Sequence, residues 1–241
     1  MVLNYWQKAN GMYILNKQQI NQIAYVILEE YMPSANRIAQ PVDIETLAEE
    51  CLLLTIEEKM FGINDNILGL IALHDVDGIT YLDDGLNPTK ASLCAGTIII
   101  NSWLTAFKRY TCKRFTIAHE CSHWILHRTY HSPTNQKYQL RNQRSPYIAC
   151  RSAAAEQTQR KFITDEDWEE WQANSLAAAL LMPYKPFYLF AYDLINKTGR
   201  TFLSESIDRD CNEIINKVAK RFEVSGTSVK IRMKQMSLIN I

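Results

Sequence analysis

Residues 114–127 read RFTIAHECSHWILH, and within them His119, Glu120 and His123 form the pattern His-Glu-x-x-His. A helix places residues four apart one turn above each other, so the two imidazoles can converge on one tetrahedral cation. Glu120 projects about a third of a turn away from the histidines. The spacing therefore predicts a helix that holds a metal ion and places a carboxylate beside it.

This arrangement favours zinc-assisted hydrolysis. Two imidazoles and one further ligand leave the fourth position of a tetrahedral zinc ion to water, whose pKa zinc lowers toward about 7. A carboxylate outside the ligand set, here Glu120, can take the proton. The alternative is a pair of structural histidines with a surface glutamate. The apolar stripe of Phe115, Ala118 and Leu126 favours the first interpretation, because it packs the helix on a core and turns the His-Glu face toward a cleft.

The third ligand must come from another element of the chain. His127 lies about 12 Å along the helix from the first histidine, too far to join the same ion, so we expect it to pack near the helix end. The segment 169–174, EEWQAN, opens a largely apolar helix and offers two glutamates. Glu170 is favoured because Asn174 shares its face and can hydrogen-bond a zinc-bound histidine. Glu169 remains the alternative.

Composition excludes some classes of partner and location. Among 241 residues, 26 Lys and Arg balance 26 Asp and Glu, so no general electrostatic attraction to nucleic acid or membranes is expected. The first residues lack a signal-peptide pattern, and no run approaches a membrane span. Six cysteines show no CxxC pair, which is typical of free thiols in a reducing compartment. We expect a cytoplasmic protein.

Hydrophobic periodicity predicts helices, a small group of strands and one long loop. The polar stretch 128–164 is interpreted as a functional or mobile loop. Helices are expected at 17–31, 44–51, from about 115, at 166–182, 186–195, 206–222 and 225–236, the last with Ser225 as N-cap, and strands at 52–56, 67–73, 79–82 and 97–101.

Four blocks of the sequence carry a family resemblance: RFTIAHECSHWILH at 114–127, QANSLAAALLMP at 172–183, IIIN at 98–101 and the segment from 218 to 233. They resemble the ImmA/IrrE metallopeptidase family, and the resemblance covers about residues 41–239. Inside the His-Glu-x-x-His motif the chain departs from the family, because Cys121 and Ser122 replace the usual Leu-Gly pair. Leu176 replaces a common Phe, and the loop before the glutamate helix is longer than in many members.

The resemblance implies a bacterial zinc peptidase similar to gluzincins. Such proteins are often encoded beside a helix-turn-helix repressor, which they cleave or control to release mobile-element or stress genes. By resemblance, His119, His123 and Glu170 bind zinc, and Glu120 is the general base. The expected fold is α+β, a zincin-like metallopeptidase core with a small sheet, the HExxH helix, a glutamate-bearing helix and a C-terminal helical part. The expected domains are an N-terminal extension and helix at 1–40, the metallopeptidase domain at 41–200 and a C-terminal helical subdomain at 201–241.

We therefore expect a zinc-dependent endopeptidase that binds its protein substrate as an extended peptide along a sheet edge. Its expected role is in transcription regulation, through a helix-turn-helix repressor. The alternative is a non-proteolytic regulator that binds a repressor or DNA, with a structural or vestigial zinc site. Residues 217–241 carry six Lys or Arg against one Glu. Basic residues at helical intervals are commonly a solvated face, so direct nucleic-acid binding is not expected.

Overall fold

The computed structural model describes residues 3–8, 10–61, 66–132, 145–151, 164–204 and 209–240, and their fold is α+β, as predicted. A 3-10 turn and a π-helical turn add short segments at Pro33–Asn36 and Leu47–Cys51. The helices are α1 Lys17–Tyr31, α2 Ile44–Thr46, α3 Trp103–Ala106, α4 Tyr110–His127, α5 Asp165–Leu181, α6 Tyr184–Asn196, α7 Arg209–Phe222 and α8 Gly226–Gln235. The strands are β1 Thr55–Lys59, β2 Ile67–Ala72, β3 Val76–Leu82, β4 Pro88–Leu93, β5 Thr97–Asn101, β6 Tyr147–Arg151, β7 Leu203–Ser204 and β8 Ile239–Asn240.

The bounds predicted for α1 and β5 are confirmed, and the other predicted helices and strands lie within a few residues of their expected positions. Four strands, β4, β6, β7 and β8, and the short helix α3 were not predicted. The interpretation of 128–164 as a loop is wrong for the part that forms β6, while 133–144 and 152–163 lie outside the described residues. These four strands are short and carry few β-branched residues, so their pairing with neighbouring strands defines them more than their own sequence does.

The main sheet has the strand order β1-β5-β2-β6. β1 runs parallel to β5, and β2 runs antiparallel to both β5 and β6. β5 is buried along its whole length, which explains why the sequence IIIN follows no alternation of apolar and polar residues. α4 packs across β2, β5 and β6. The sheet thus supports the helix that carries the His-Glu-x-x-His motif. β3 and β4 form a separate antiparallel hairpin.

The chain divides into two compact units that do not follow sequence order. The first unit contains residues 1–17 and 45–177, and the second contains 18–44 and 178–241. The three contiguous domains expected from the sequence stay a prediction. Within the second unit Phe187 of α6 meets Phe222 of α7 with ring centroids 5.3 Å apart. At the start of α8 the Ser225 hydroxyl accepts a hydrogen bond from the Ser228 amide, as predicted for its N-cap.

In the described part of the chain, no helix combines the length and the apolar character needed to cross a membrane.

Candidate active site

α4 buries an unusual number of polar side chains for a helix packed on a sheet. Burying a polar group costs free energy unless a partner compensates it. Ser122 has a local partner, because its hydroxyl donates to the Ala118 carbonyl at 2.7 Å. Thr116 has one as well, because its hydroxyl donates to the Cys112 carbonyl at 3.0 Å. The imidazoles and the carboxylate also need partners from other elements. The buried polar side chains of α4 are Arg114, Thr116, His119, Glu120, Ser122, His123 and His127.

His119 and His123 face each other and Glu170 of α5. Their Nε2 atoms are 2.9 Å apart, and the Glu170 carboxylate oxygens lie 3.6 Å from His119 Nε2 and 3.5 Å from His123 Nε2. Ligands at about 2.0–2.2 Å from a tetrahedral zinc ion stand roughly 3.3–3.6 Å from one another. The three donors therefore fit a zinc ion with only small movements, and their chemistry, two imidazoles and a carboxylate, is that of an open zinc site.

The His123 ring is held by a chain of hydrogen bonds that fixes its tautomer. Gln172 donates its amide N–H to the Tyr13 carbonyl at 2.7 Å, so its oxygen accepts from His127 Nε2 at 3.1 Å. With that proton on Nε2, the Nδ1 atom of neutral His127 is an acceptor, and His123 Nδ1 donates to it at 3.0 Å. The lone pair of His123 Nε2 therefore points toward His119 and Glu170, as a metal ligand requires.

His127 thus lies behind His123, in agreement with the expectation that it does not join the same ion. The contribution of Gln172 was not foreseen from the sequence. The sequence did offer one signal, a glutamine between Glu170 and Ala173 on a largely apolar helix. If such a side chain is buried, as Gln172 is, its amide group needs hydrogen-bond partners.

The two glutamates of α5 point to different partners. Glu169 is buried, and its carboxylate lies 2.6 Å from His131 Nε2, while His131 Nδ1 lies 3.1 Å from the Ser145 carbonyl. Glu170 has a side chain that is 45% exposed and faces the two histidines of α4. The structure therefore brings Glu170, and not Glu169, next to His119 and His123.

Burial keeps the imidazoles neutral, the state in which histidine binds metal. Burial, with electrostatic repulsion from His123 as a second cause, lowers the pKa of His119 to about 3. The negative charge of Glu170 and a hydrogen bond with Asn174 oppose this shift. This contact with Asn174 is loose, since buried His119 Nδ1 has no partner of good geometry among the described residues. Burial is the main cause that lowers the pKa of His123 to about 3, and electrostatic repulsion from nearby His131 lowers it further.

Glu120 is fully buried, and neither carboxylate oxygen has a hydrogen-bond partner of good geometry in the described part of the chain. Burial and then the charge of Glu170 raise its pKa well above the usual range, and the approach of the Cys150 backbone opposes them. A carboxylate in this environment binds a proton strongly. Such a group is suited to hold a proton between two steps of a reaction.

Gly69 of β2 makes room for the Glu120 carboxylate. A Cβ atom on Gly69 would lie 3.2 Å from Glu120 Oε1, 3.3 Å from the Ile99 carbonyl and only 2.5 Å from Thr116 Cγ2. Any side chain here would push α4 away from the sheet and displace Glu120. The sequence analysis did not single out this residue, although a glycine inside an apolar strand can mark a close approach.

Cys150 of β6 is the second neighbour of Glu120 that the sequence did not indicate. It pairs with Gly69 in the register of β2 and β6. One ligand atom each from His119, Glu120 and Cys150 lie within 4.8 Å of one another. Because Cys150 follows a long polar stretch with weak periodicity, only the pairing of β6 with β2 brings its thiol to the site.

Comparison with known families agrees with this geometry. Residues 71–234, or 164 of 241, match the family Peptidase_M78, described as the IrrE N-terminal-like domain. No curated protein gave a match. The matched region begins in β2, ends in α8 and includes both α4 and α5. The chain therefore belongs to the M78 family of metallopeptidases, the family of the IrrE N-terminal-like domain.

Proposed function

We propose that this protein is a zinc-dependent endopeptidase and that its substrate is a helix-turn-helix repressor. The observation that carries the proposal is the convergence of His119, His123 and Glu170 beside a buried carboxylate, Glu120. Membership of a metallopeptidase family supports the same reaction class. The identity of the substrate rests on the resemblance to proteins that act on such repressors.

In this proposal His119, His123 and Glu170 hold the zinc ion. When bound, zinc supplies a Lewis acid that polarises the scissile carbonyl and makes water acidic. Glu120 accepts a proton from the attacking water and later delivers it to the leaving amine. Its burial supports this role, because a desolvated carboxylate retains the proton until the amine becomes basic enough to take it. Gly69 keeps the carboxylate in place, and His127 keeps His123 in the binding tautomer.

The edge of the main sheet offers a place for an extended substrate. Among the described strands, which follow the order β1-β5-β2-β6, strand β6 lies at the edge beside the site and carries Cys150 next to Glu120. An extended peptide can add to such an edge through main-chain hydrogen bonds. A substrate bound along β6 would pass close to Glu120, which is why we favour an endopeptidase that binds the middle of a chain.

The alternative role, a regulator that binds nucleic acid through the basic C-terminal region, has less support. Arg232 is 4% exposed and donates to the Asn21 side chain at 2.7 Å and to the Met182 carbonyl at 3.1 Å. It is thus occupied in packing the second unit. Lys217 pairs with Glu213 at 2.6 Å on the surface of α7. The region has fewer free cations than its sequence suggests.

Two measurements test the proposal. Metal analysis of protein purified without added metal should find one zinc per chain, and no zinc or two equivalents would contradict it.

The repressor encoded nearest to this gene should then be incubated with the purified protein, with the Glu120→Gln variant as control. A fragment that appears only with the wild type supports the proposed substrate. Cleavage of unrelated unfolded proteins but not of the repressor would keep the reaction and reject the partner.

A further inference from the structure

The site contains a second set of metal donors that overlaps the first. His119, Glu120 and Cys150 each place one ligand atom within 4.8 Å of the other two, just as His119, His123 and Glu170 do. The two sets share His119. An ion bound to this histidine therefore has two alternative groups of partners, one on α4 and α5 and one on α4 and β6.

The second set is built into the fold and does not depend on a surface cysteine alone. Cys150 stands opposite Gly69 in the sheet, and the missing side chain of Gly69 leaves the space into which Glu120 projects. Both carboxylate oxygens of Glu120 are buried and have no hydrogen-bond partner of good geometry among the described residues. A buried carboxylate in this condition gains the most when a cation provides the missing interaction.

The donor types also suit a particular class of ion. A thiolate, an imidazole and a carboxylate are all ligands of zinc in proteins, and the sulfur favours thiophilic ions such as zinc, cobalt and cadmium over magnesium or calcium. Binding releases the thiol proton and forms one metal–sulfur bond, with no oxidant or reductant involved.

We propose that His119, Glu120 and Cys150 form a second, latent position for the active-site metal ion, and that the ion moves between the two positions by pivoting about His119. In this move its bonds to His123 and Glu170 break, bonds to Glu120 and to the Cys150 thiolate form, and the thiol proton passes to solvent. In the latent position Glu120 is a ligand and is not available as a base, so the peptidase is inactive. This inhibitory consequence rests on the proposed function, whereas the existence of the second position does not. A substrate strand added along β6 would contact the region of Cys150, which gives the substrate a way to shift the ion toward the active position.

The test uses cobalt(II) in place of zinc, because a bond from thiolate to cobalt gives a near-ultraviolet charge-transfer band that imidazole and carboxylate ligands do not give. The full-length protein, stripped of metal, is titrated with up to one equivalent of cobalt(II). We expect the band in the wild type, its loss in Cys150→Ser, and an unchanged band in Cys94→Ser, the matched control at an exposed cysteine. The Glu170→Ala variant should bind cobalt more weakly and show a stronger band per bound ion.

Each outcome decides between the possibilities. Cobalt binding without the band in the wild type overturns the latent position and leaves the proposed function intact. A band that persists in Cys150→Ser assigns the sulfur to another cysteine and also overturns it. If the wild type binds no cobalt at all, both proposals fail.

Circular dichroism of each variant checks the fold, and a Cys150→Ala variant that behaves like Cys150→Ser excludes an effect of the new hydroxyl. With the zinc-loaded protein, Cys150→Ser should cleave substrate several-fold faster than the wild type.

Discussion

Two helices of this protein, α4 and α7, bury their residues in opposite ways. On α7 the buried residues are apolar, among them Cys211, Ile214 and Val218, whereas Glu213 and Lys217 are exposed. α4 instead buries the polar side chains of His119, Glu120 and His123. α7 follows the ordinary rule of an amphipathic helix, in which one apolar stripe faces the core.

The difference shows where the protein accepts a cost in free energy. The imidazoles and the carboxylate of α4 need partners beyond those that α4 itself supplies, and Glu170, Gln172 and the proposed metal ion provide them. α7 needs only apolar neighbours. Substitutions on the two helices should therefore have separable effects, on chemistry and metal binding for α4 and on folding stability for α7.

The largest effect is expected from Glu120→Gln. The amide keeps the shape of the side chain but cannot accept the proton, so turnover should fall by about 10²–10⁴-fold. Zinc content and thermal stability should not fall, because the substitution removes a buried carboxylate that lacks hydrogen-bond partners of good geometry among the described residues. Peptide cleavage, metal analysis and a melting curve on the same sample check this. Unchanged cleavage would rule out Glu120 as the base.

The second effect concerns the two neighbouring glutamates of α5. Glu170→Ala should weaken zinc binding by at least about tenfold and abolish activity, because it removes a ligand. Glu169→Ala should leave zinc affinity within a few-fold, since its carboxylate contacts His131 and not the proposed zinc ligands. Competitive zinc titration of the two variants decides the assignment. The reverse result would show that Glu169 turns into the site when metal binds.

The third effect sharpens the role of the hydrogen bonds behind His123. Gln172→Met keeps the volume but removes both hydrogen bonds of the amide, so His127 loses the acceptor that fixes its tautomer. Zinc affinity should fall by about 10–100-fold, the range found for groups that orient metal ligands. The same titration measures it, with Gln172→Glu as the control that keeps an acceptor for His127. Equal loss in both variants would indicate a packing effect instead.

A substitution on α7 should change stability alone. Val218 is fully buried, and Val218→Ala removes two methyl groups from the core of the second unit. The free energy of unfolding should fall by about 1.5–2 kcal/mol. Urea denaturation measures this loss, and zinc titration should give the wild-type affinity. Loss of zinc affinity in this variant would contradict the separation of the two helices.

The smallest effect concerns surface charges, and it depends on pH. Hydrogen bonding to Lys113 of α4 lowers the pKa of Glu58, and hydrogen bonding from Thr105 also contributes. Because the pKa of Glu58 is lower in the folded protein than in the unfolded chain, the ion pair stabilises the fold at pH values above the pKa of the unfolded chain. This contribution is lost as the pH falls through the pKa of Glu58 in the folded protein. Glu58→Gln should therefore reduce stability near pH 7 by less than about 1 kcal/mol, because the pair is partly exposed. Below the pKa of Glu58 in the folded protein the variant and the wild type should converge, as urea denaturation at several pH values can show.

Much of this protein was predictable because the relevant information is local. The period of apolar residues gave α1 and β5 with their observed bounds, since a helix or a buried strand repeats its pattern within one segment. The same reasoning brought His119 and His123 together, because residues four apart in a helix share a face wherever the helix lies. The family and the α+β fold followed from these blocks and are confirmed.

Only the tertiary structure decided which distant residues lie beside the His-Glu-x-x-His motif. The rotation of α5 about its axis turns Glu170 toward α4 and Glu169 toward His131, and that rotation depends on packing that no local pattern encodes. The strand β6 exists because β2 offers it an edge, and this pairing brings Cys150 to Glu120 across Gly69. A helix fixes the spacing of its own residues, whereas contacts between elements depend on how the whole chain packs, so the sequence determined the motif and the fold determined its partners.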